Sequence, residues 1–186
     1  MTRINTIEVD AATGSAKELL EAVQKKMGMV PNLTKVMAQA PVVLETYLKG
    51  SEALSGGVLS AVEREHVALR TAELNQCQYC VSAHSALGKM QGLSEEEVLA
   101  TRAGKSEATR AQAILDFTEA VVRERGKVSD EDIAEARDRG LTDADLVEVV
   151  GHVALNLLTN YLNNVAGTAI DFPKAAPLAE SDAAVA

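Results

Sequence analysis

The sequence predicts an all-α fold, and three observations carry that expectation. Helix starts and stops are marked along the chain, apolar residues between them recur at helical spacing, and no stretch shows the alternation of a strand. The composition agrees. Apolar residues make up 47 % of the chain but aromatics only 3 %, with no Trp, so the core must be built from Ala, Leu, Val, Ile and Met. That palette suits packed helices better than stacked sheets.

The starts come first. Ser15 with Glu18, Ser60 with Glu63 and Ser94 with Glu97 each match a capping box, in which a hydroxyl and a carboxylate satisfy each other's orphan amides. Ser106, Ser129 and Thr142 are further candidate caps, the last two with Asp132 and Asp145 three residues on. Gly28, Gly56–Gly57, Gly92, Gly104, Gly126 and Gly140 stand where periodic segments end, and Pro41 suits a first helical turn. These signals predict helices near 15–27, 32–39, 41–55, 60–75, 77–91, 94–103, 107–125, 129–139 and 142–166. The last carries Leu146, Val149, Val150, Val153, Leu157, Tyr161, Leu162 and Val165, read as one wide apolar stripe. HVAL at 66–69 recurs at 152–155, a weak sign of internal duplication. A chain of 186 residues accommodates a single helical domain, 1–186, with its core over roughly 20–175 and a frayed tail at 176–186.

Charge and hydropathy exclude two classes of partner. The formal net charge is −9 and no basic run stands out, so neither nucleic acid nor a phosphate backbone is expected to bind. No apolar run approaches the roughly 18–20 residues of a membrane span. The opening MTRINTIEVDAATGS has neither the apolar run nor the cleavage site of a secretory signal, so the expected compartment is the cytoplasm.

The chemistry is expected in LNQCQYCVSAHSALGKM, residues 74–90, which holds both cysteines of the chain. On a helix, Cys77, Cys80, His84 and Leu87 share one face, with the two thiols one turn apart at the helix start. A helix N-terminus stabilises a thiolate, and His84 lies where it can accept or relay a proton from Cys80. In the preceding helix Glu65, Leu69, Ala72 and Gln76 share a face that turns towards the cysteine helix. An inward carboxylate needs a partner, and His84 is the obvious one. A Glu65–His84–Cys80 relay follows. Taken singly, each element has a plainer reading: buried small cysteines, a core histidine, or a surface Glu65 paired with Arg64 or Arg70. Haem attachment fails because Val81 follows Cys80. Zinc on Cys77, Cys80, His84 and Glu65 stays open as an unusual alternative, since no second CxxC exists. A redox dithiol leads.

Glu65-x(11)-Cys77-x-x-Cys80-x(3)-His84 resembles the signature of AhpD-like alkyl hydroperoxidases in the carboxymuconolactone decarboxylase superfamily. The flanks are similar too: Asn75, Tyr79, Ala83, Gly88, the following GLSEEEV, and TNYLNNVAGTAIDFP at 159–173. The resemblance implies a helical fold with the cysteine helix in a helical hairpin, and a homotrimer or trimer-based hexamer. It implies a thiol-dependent peroxidase with Cys80 as peroxidatic thiol, Cys77 as resolving thiol, and His84 with Glu65 as proton relay. The expected substrate is a small hydroperoxide, the expected reductant an external dithiol or lipoyl-type protein, and no cofactor or metal is expected. Tyr79, His152 and Asn160 are candidates for supporting the relay. One position departs, because the best-known peroxidase members carry His where this chain has Tyr79. The decarboxylase branch generally lacks the cysteine pair, so lactone decarboxylation is the lesser alternative, alongside a redox-sensing oligomer without catalytic activity.

Overall fold

A computed structural model describes residues 2–178, and among these it contains nine α-helices, one short 3-10 turn (Val9–Ala11) and no strand. The helices are α1 (Gly14–Met27), α2 (Asn32–Met37), α3 (Pro41–Ser55), α4 (Ala61–Leu74), α5 (Gln78–Met90), α6 (Glu95–Arg102), α7 (Thr109–Arg123), α8 (Asp130–Asp138) and α9 (Asp143–Ala166). The all-α expectation holds, and the capping chemistry explains why. Ser60, Ser94, Ser129 and Thr142 each close a full capping box, with Glu63, Glu97, Asp132 and Asp145 as the reciprocal acceptors.

Two of the expected caps are not used. α1 begins at Gly14 behind Thr13, and no side chain caps it, so the Ser15–Glu18 box is absent. Ala12, Ala16 and Leu20 are buried together, and that packing sets where the helix enters. Ser106 sits before α7 rather than at its cap, where its hydroxyl accepts from the Ala108 amide at 3.3 Å.

α4 is the hub, packed against α5, α6, α7 and α9. One apolar core forms on α1, α2, α3 and α5 and includes Leu20, Val23, Met37, Leu44, Cys77 and Cys80. A second joins α4 to α7, α8 and α9 through Val67, Ile114, Phe117, Leu146, Val149 and Val153. Each fully buried Leu, Ile or Val contributes about 1.5–3 kcal/mol. Between α4, α6 and α7 lies Arg70, only 1 % exposed, which donates to Glu119 and to the Arg102 carbonyl at 2.7 Å. Gly104 makes room for it. A Cβ there would stand 3.0 Å from the Arg70 guanidinium carbon, and its φ of +74° already favours glycine.

α9 departs from the expected single stripe. Leu146, Val149 and Val153 are buried, but Val150, Tyr161 and Val165 face outward with Val147 and Leu158. The expected tail at 176–186 lies outside the described residues from 179 onward, while the Ala176 carbonyl accepts from Arg102 Nη2 at 2.9 Å.

The α9 start sets an acid limit on the fold. Hydrogen bonds from Arg110 and Thr142 pull the Asp145 carboxyl down to about 2, and burial holds His66 and His152 below the ordinary imidazole range. All three groups take up protons more readily in the unfolded chain. Stability present at neutral pH is therefore lost below about pH 6.5 through the histidines, and between about pH 4 and 2 through Asp145. Asp145→Asn should cost about 1–2 kcal/mol at pH 7, since Arg110 is 39 % exposed and partly screened, and should flatten the acid limb. Thermal unfolding at pH 3 and pH 7 checks both expectations.

Candidate active site

The site begins where α4 ends. Leu74 closes the helix, Asn75 caps it, and Gln76 takes the left-handed conformation at φ +51°. The Gln76 amide donates to the Glu73 carbonyl and the Cys77 amide to the Ala72 carbonyl, both at 2.9 Å. These paired bonds are a Schellman closure. Cys77 then serves as N-cap of α5, its Sγ accepting from the Cys80 amide at 3.3 Å. One residue thus ends one helix and starts the next. Gln76 consequently lies outside α4 and exposed, not on the Glu65 face as the spacing suggested.

Cys77 and Cys80 are joined as a disulfide with Cα atoms 5.3 Å apart, and they are 0 % and 3 % exposed. One turn further along α5, His84 Nδ1 meets Glu65 Oε2 at 2.9 Å. The pair is half-buried, with side chains 22 % and 15 % exposed. Arg64 and Arg70, the alternative partners for Glu65, are engaged elsewhere, Arg64 with the Leu59 carbonyl and Arg70 with Glu119. The expected carboxylate–imidazole contact across the hairpin is therefore present.

α9 supplies what the motif does not contain. Asn163 Nδ2 donates to Cys80 Sγ at 3.3 Å. Asn160 Oδ1 accepts from Asn75 Nδ2 at 3.2 Å, and Asn164 Nδ2 donates to the Asn75 carbonyl at 3.0 Å, so α9 is tied to the turn itself. Asn163 was not among the sequence candidates. Its available signal was its place three residues after Asn160 in an otherwise apolar helix. Tyr47 was missed as well. It packs from α3 against the core that holds the cysteines, and burial together with the Glu65 carboxylate raises its hydroxyl above the usual phenol range.

The other supporting candidates lie outside the relay. The Tyr79 hydroxyl accepts from the Leu33 amide at 3.2 Å, and its ring meets Phe172 edge-on at 5.8 Å. Burial raises it strongly, with the Asp171 carboxylate acting in the same direction. Tyr79 thus anchors α5 to α2 and the C-terminal segment. His152 faces Glu148 at 3.7 Å, and that carboxylate accepts from the Val58 and Leu59 amides before α4. Among the described residues no group of three or more His, Cys, Asp or Glu side chains is arranged to hold a metal ion.

Residues 41–123, from α3 through α7, match the Carboxymuconolactone decarboxylase family. A solved structure from Ralstonia eutropha JMP134, an uncharacterized peroxidase-related protein with an alkylhydroperoxidase AhpD core, aligns with a TM-score of 0.82 at 27 % identity, over 91 % of this chain and 92 % of that one. The chain thus carries a match to the carboxymuconolactone decarboxylase family over residues 41–123, within an AhpD-like fold. Two further structures share the AhpD-like fold. An uncharacterized peroxidase-related protein from Silicibacter sp. TM1040 has a TM-score of 0.78 at 22 % identity, over 90 % of this chain and 91 % of that one. The debrominase Bmp8 in complex with 2,3,4-tribromopyrrole has a TM-score of 0.76 at 14 % identity, over 92 % of each chain. No curated protein matches the chain. Among the described residues no helix is long and apolar enough to cross a membrane.

Glu65→Gln tests the relay, because it keeps the shape and removes the carboxylate charge beside His84 Nδ1. The pH midpoint of Cys80 alkylation should rise and helicity stay unchanged. Superimposable alkylation curves for the two proteins would take Glu65 out of the relay.

Proposed function

We propose that the chain is a thiol-dependent peroxidase that reduces small organic hydroperoxides through Cys77 and Cys80. The observation that carries this reading is the closed cysteine pair at the start of α5, one turn from the hydrogen-bonded Glu65 and His84. Cys80 as thiolate attacks the terminal peroxide oxygen and becomes a sulfenic acid. Cys77 condenses with it to the disulfide and releases water, and an external dithiol, free or lipoyl-bound on a protein, restores both thiols. The thiol chemistry itself calls for no cofactor. His84 protonates the departing alkoxide, and Glu65 holds the imidazole in position.

The division of roles rests on the family resemblance, and two contacts support it. Cys80 receives the Asn163 amide, and His84 lies one turn further along its helix. Cys77 instead caps the helix and is fully buried, as suits the thiol that waits for a sulfenic acid.

Self-association belongs to the same reading. Val147, Val150, Leu158, Tyr161 and Val165 form an exposed apolar row along α9, about 27 Å from first to last. A row this long on the surface marks an interaction face, and the occupant proposed is a second copy of this chain in a trimer or trimer-based hexamer in the cytoplasm.

Two measurements test the proposal. In a steady-state assay with an organic hydroperoxide and a dithiol, Cys80→Ser should abolish turnover, whereas Cys77→Ser should leave one reactive thiol that overoxidises. Equal effects, or the reverse order of reactivity, would reverse the assignment. Sedimentation at micromolar concentration should give a species of at least three chains, and a monomer of 19.7 kDa would contradict the α9 interface.

A further inference from the structure

α9 is amphipathic in the reverse of the usual sense near the cysteines, with apolar residues outward and amides inward. Asn160 and Asn163 are 0 % and 3 % exposed. Asn163 Nδ2 is on the Cys80 sulfur, yet its Oδ1 is buried without a hydrogen-bond partner. An orphaned buried carbonyl is costly, and native proteins keep few of them. The reverse orientation of the amide would set oxygen lone pairs against sulfur and leave the N–H groups orphaned instead. The carboxamide therefore presents a donor to the reacting atom and a free acceptor beside it.

We propose that Asn163 acts directly at Cys80, its Nδ2–H donating to the sulfur and its Oδ1 receiving the O–H of the bound hydroperoxide. This rests on the peroxidase reading for its second half. The thiolate attacks the terminal oxygen of R–O–O–H, so the S–O bond forms as the O–O bond breaks. Sulfur is oxidised, the peroxide is reduced, and R–O⁻ leaves and takes a proton from the His84 imidazolium. The hydrogen on the transferred oxygen is never released. It passes from hydroperoxide to sulfenic acid, so one fixed acceptor holds it through the whole step, and Oδ1 is that acceptor. The donor half needs no substrate, because a hydrogen bond to a charged sulfur favours thiolate over thiol.

The ionisable groups of this neighbourhood are Cys77 on the same turn, Glu65 from α4, His84 from α5, Tyr47 from α3, and Asp171 beside Tyr79 in the C-terminal segment. The hydrogen bond to the Cys80 sulfur comes from Asn163 on α9.

The experiment uses the full chain with Cys77→Ser, so that Cys80 is the single thiol, with iodoacetamide and cumene hydroperoxide as probes. Asn163→Ala should raise the pH midpoint of alkylation by about one unit, from the loss of one hydrogen bond to a charged group. Asn163→Asp keeps the size but replaces the donor by a carboxylate, and should raise the midpoint further. Midpoints equal to the parent in both variants would overturn the donor role. Above all midpoints, iodoacetamide rates should converge while Asn163→Ala reacts about tenfold more slowly with cumene hydroperoxide; equal hydroperoxide rates there would overturn the acceptor role. If either variant fails to fold, the reduced Asn163 parent decides, because its side-chain amide resonance should move with the Cys80 titration, and a resonance that does not move sinks the contact. A protein with shifted midpoints but no hydroperoxide turnover would uphold the sulfur contact and defeat the peroxidase reading alone.

Discussion

The turn at Asn75–Gln76–Cys77 is the constraint on which the site depends. It is closed by two backbone hydrogen bonds, and it makes Cys77 both the last partner of α4 and the cap of α5. A longer link would free the angle between the helices, and Glu65 and His84 would no longer meet. The comparable stops before Leu93 and Leu141 have glycine in the left-handed position, at Gly92 and Gly140. Here Gln76 occupies it, at a cost of about 1–2 kcal/mol. The surroundings over-determine the turn. Cys77 is locked in the core and Asn75 is held from both sides by α9.

α4 and α9 divide the electrostatics of the molecule. On the far side of α4, Arg70 is neutralised by Glu119 and a backbone carbonyl, deep among α6 and α7. Such a buried pair fixes geometry more than it adds stability. On the near side, the Glu65–His84 pair keeps partial contact with solvent. The difference suits the proposed relay, since a guanidinium that never titrates can be sealed in, whereas an imidazole proposed to pass protons needs a route to water.

α9 is polar where it meets the hairpin and apolar where it meets solvent. Near Cys80 the inward positions are Asn156, Thr159, Asn160 and Asn163, all buried, and the outward ones include Val150, Leu158, Tyr161 and Val165. A helix built for burial alone would place these the other way round. The arrangement brings a neutral donor, Asn163, to the Cys80 sulfur without adding a charge to the core. It also leaves an apolar surface for a second molecule. The candidate site and the proposed assembly face thus share one helix.

The sequence by itself determined the helices, because their signals are local. A capping box or a left-handed glycine acts within four or five residues, so all nine expected segments begin and end within about two residues of their place. It also determined the Glu65, Cys77, Cys80 and His84 constellation, because the hairpin that unites them is a single short turn and its pairing follows from spacing. Only the tertiary structure decided which face of α9 is inward. That helix has an apolar row and a polar row, the latter running through His152, Asn156, Asn160 and Asn163, and periodicity marks the two faces without saying which one is inward. Asn163 reaches Cys80 across 83 residues of chain, a contact fixed by how α9 packs on α4 and α5 and by nothing local to either residue. Tyr79 shows the converse. Its place between the cysteines suggested chemistry, but a side chain about 100° round the helix from Cys80 points to another neighbour, and packing against Leu33 and Phe172 determined its role.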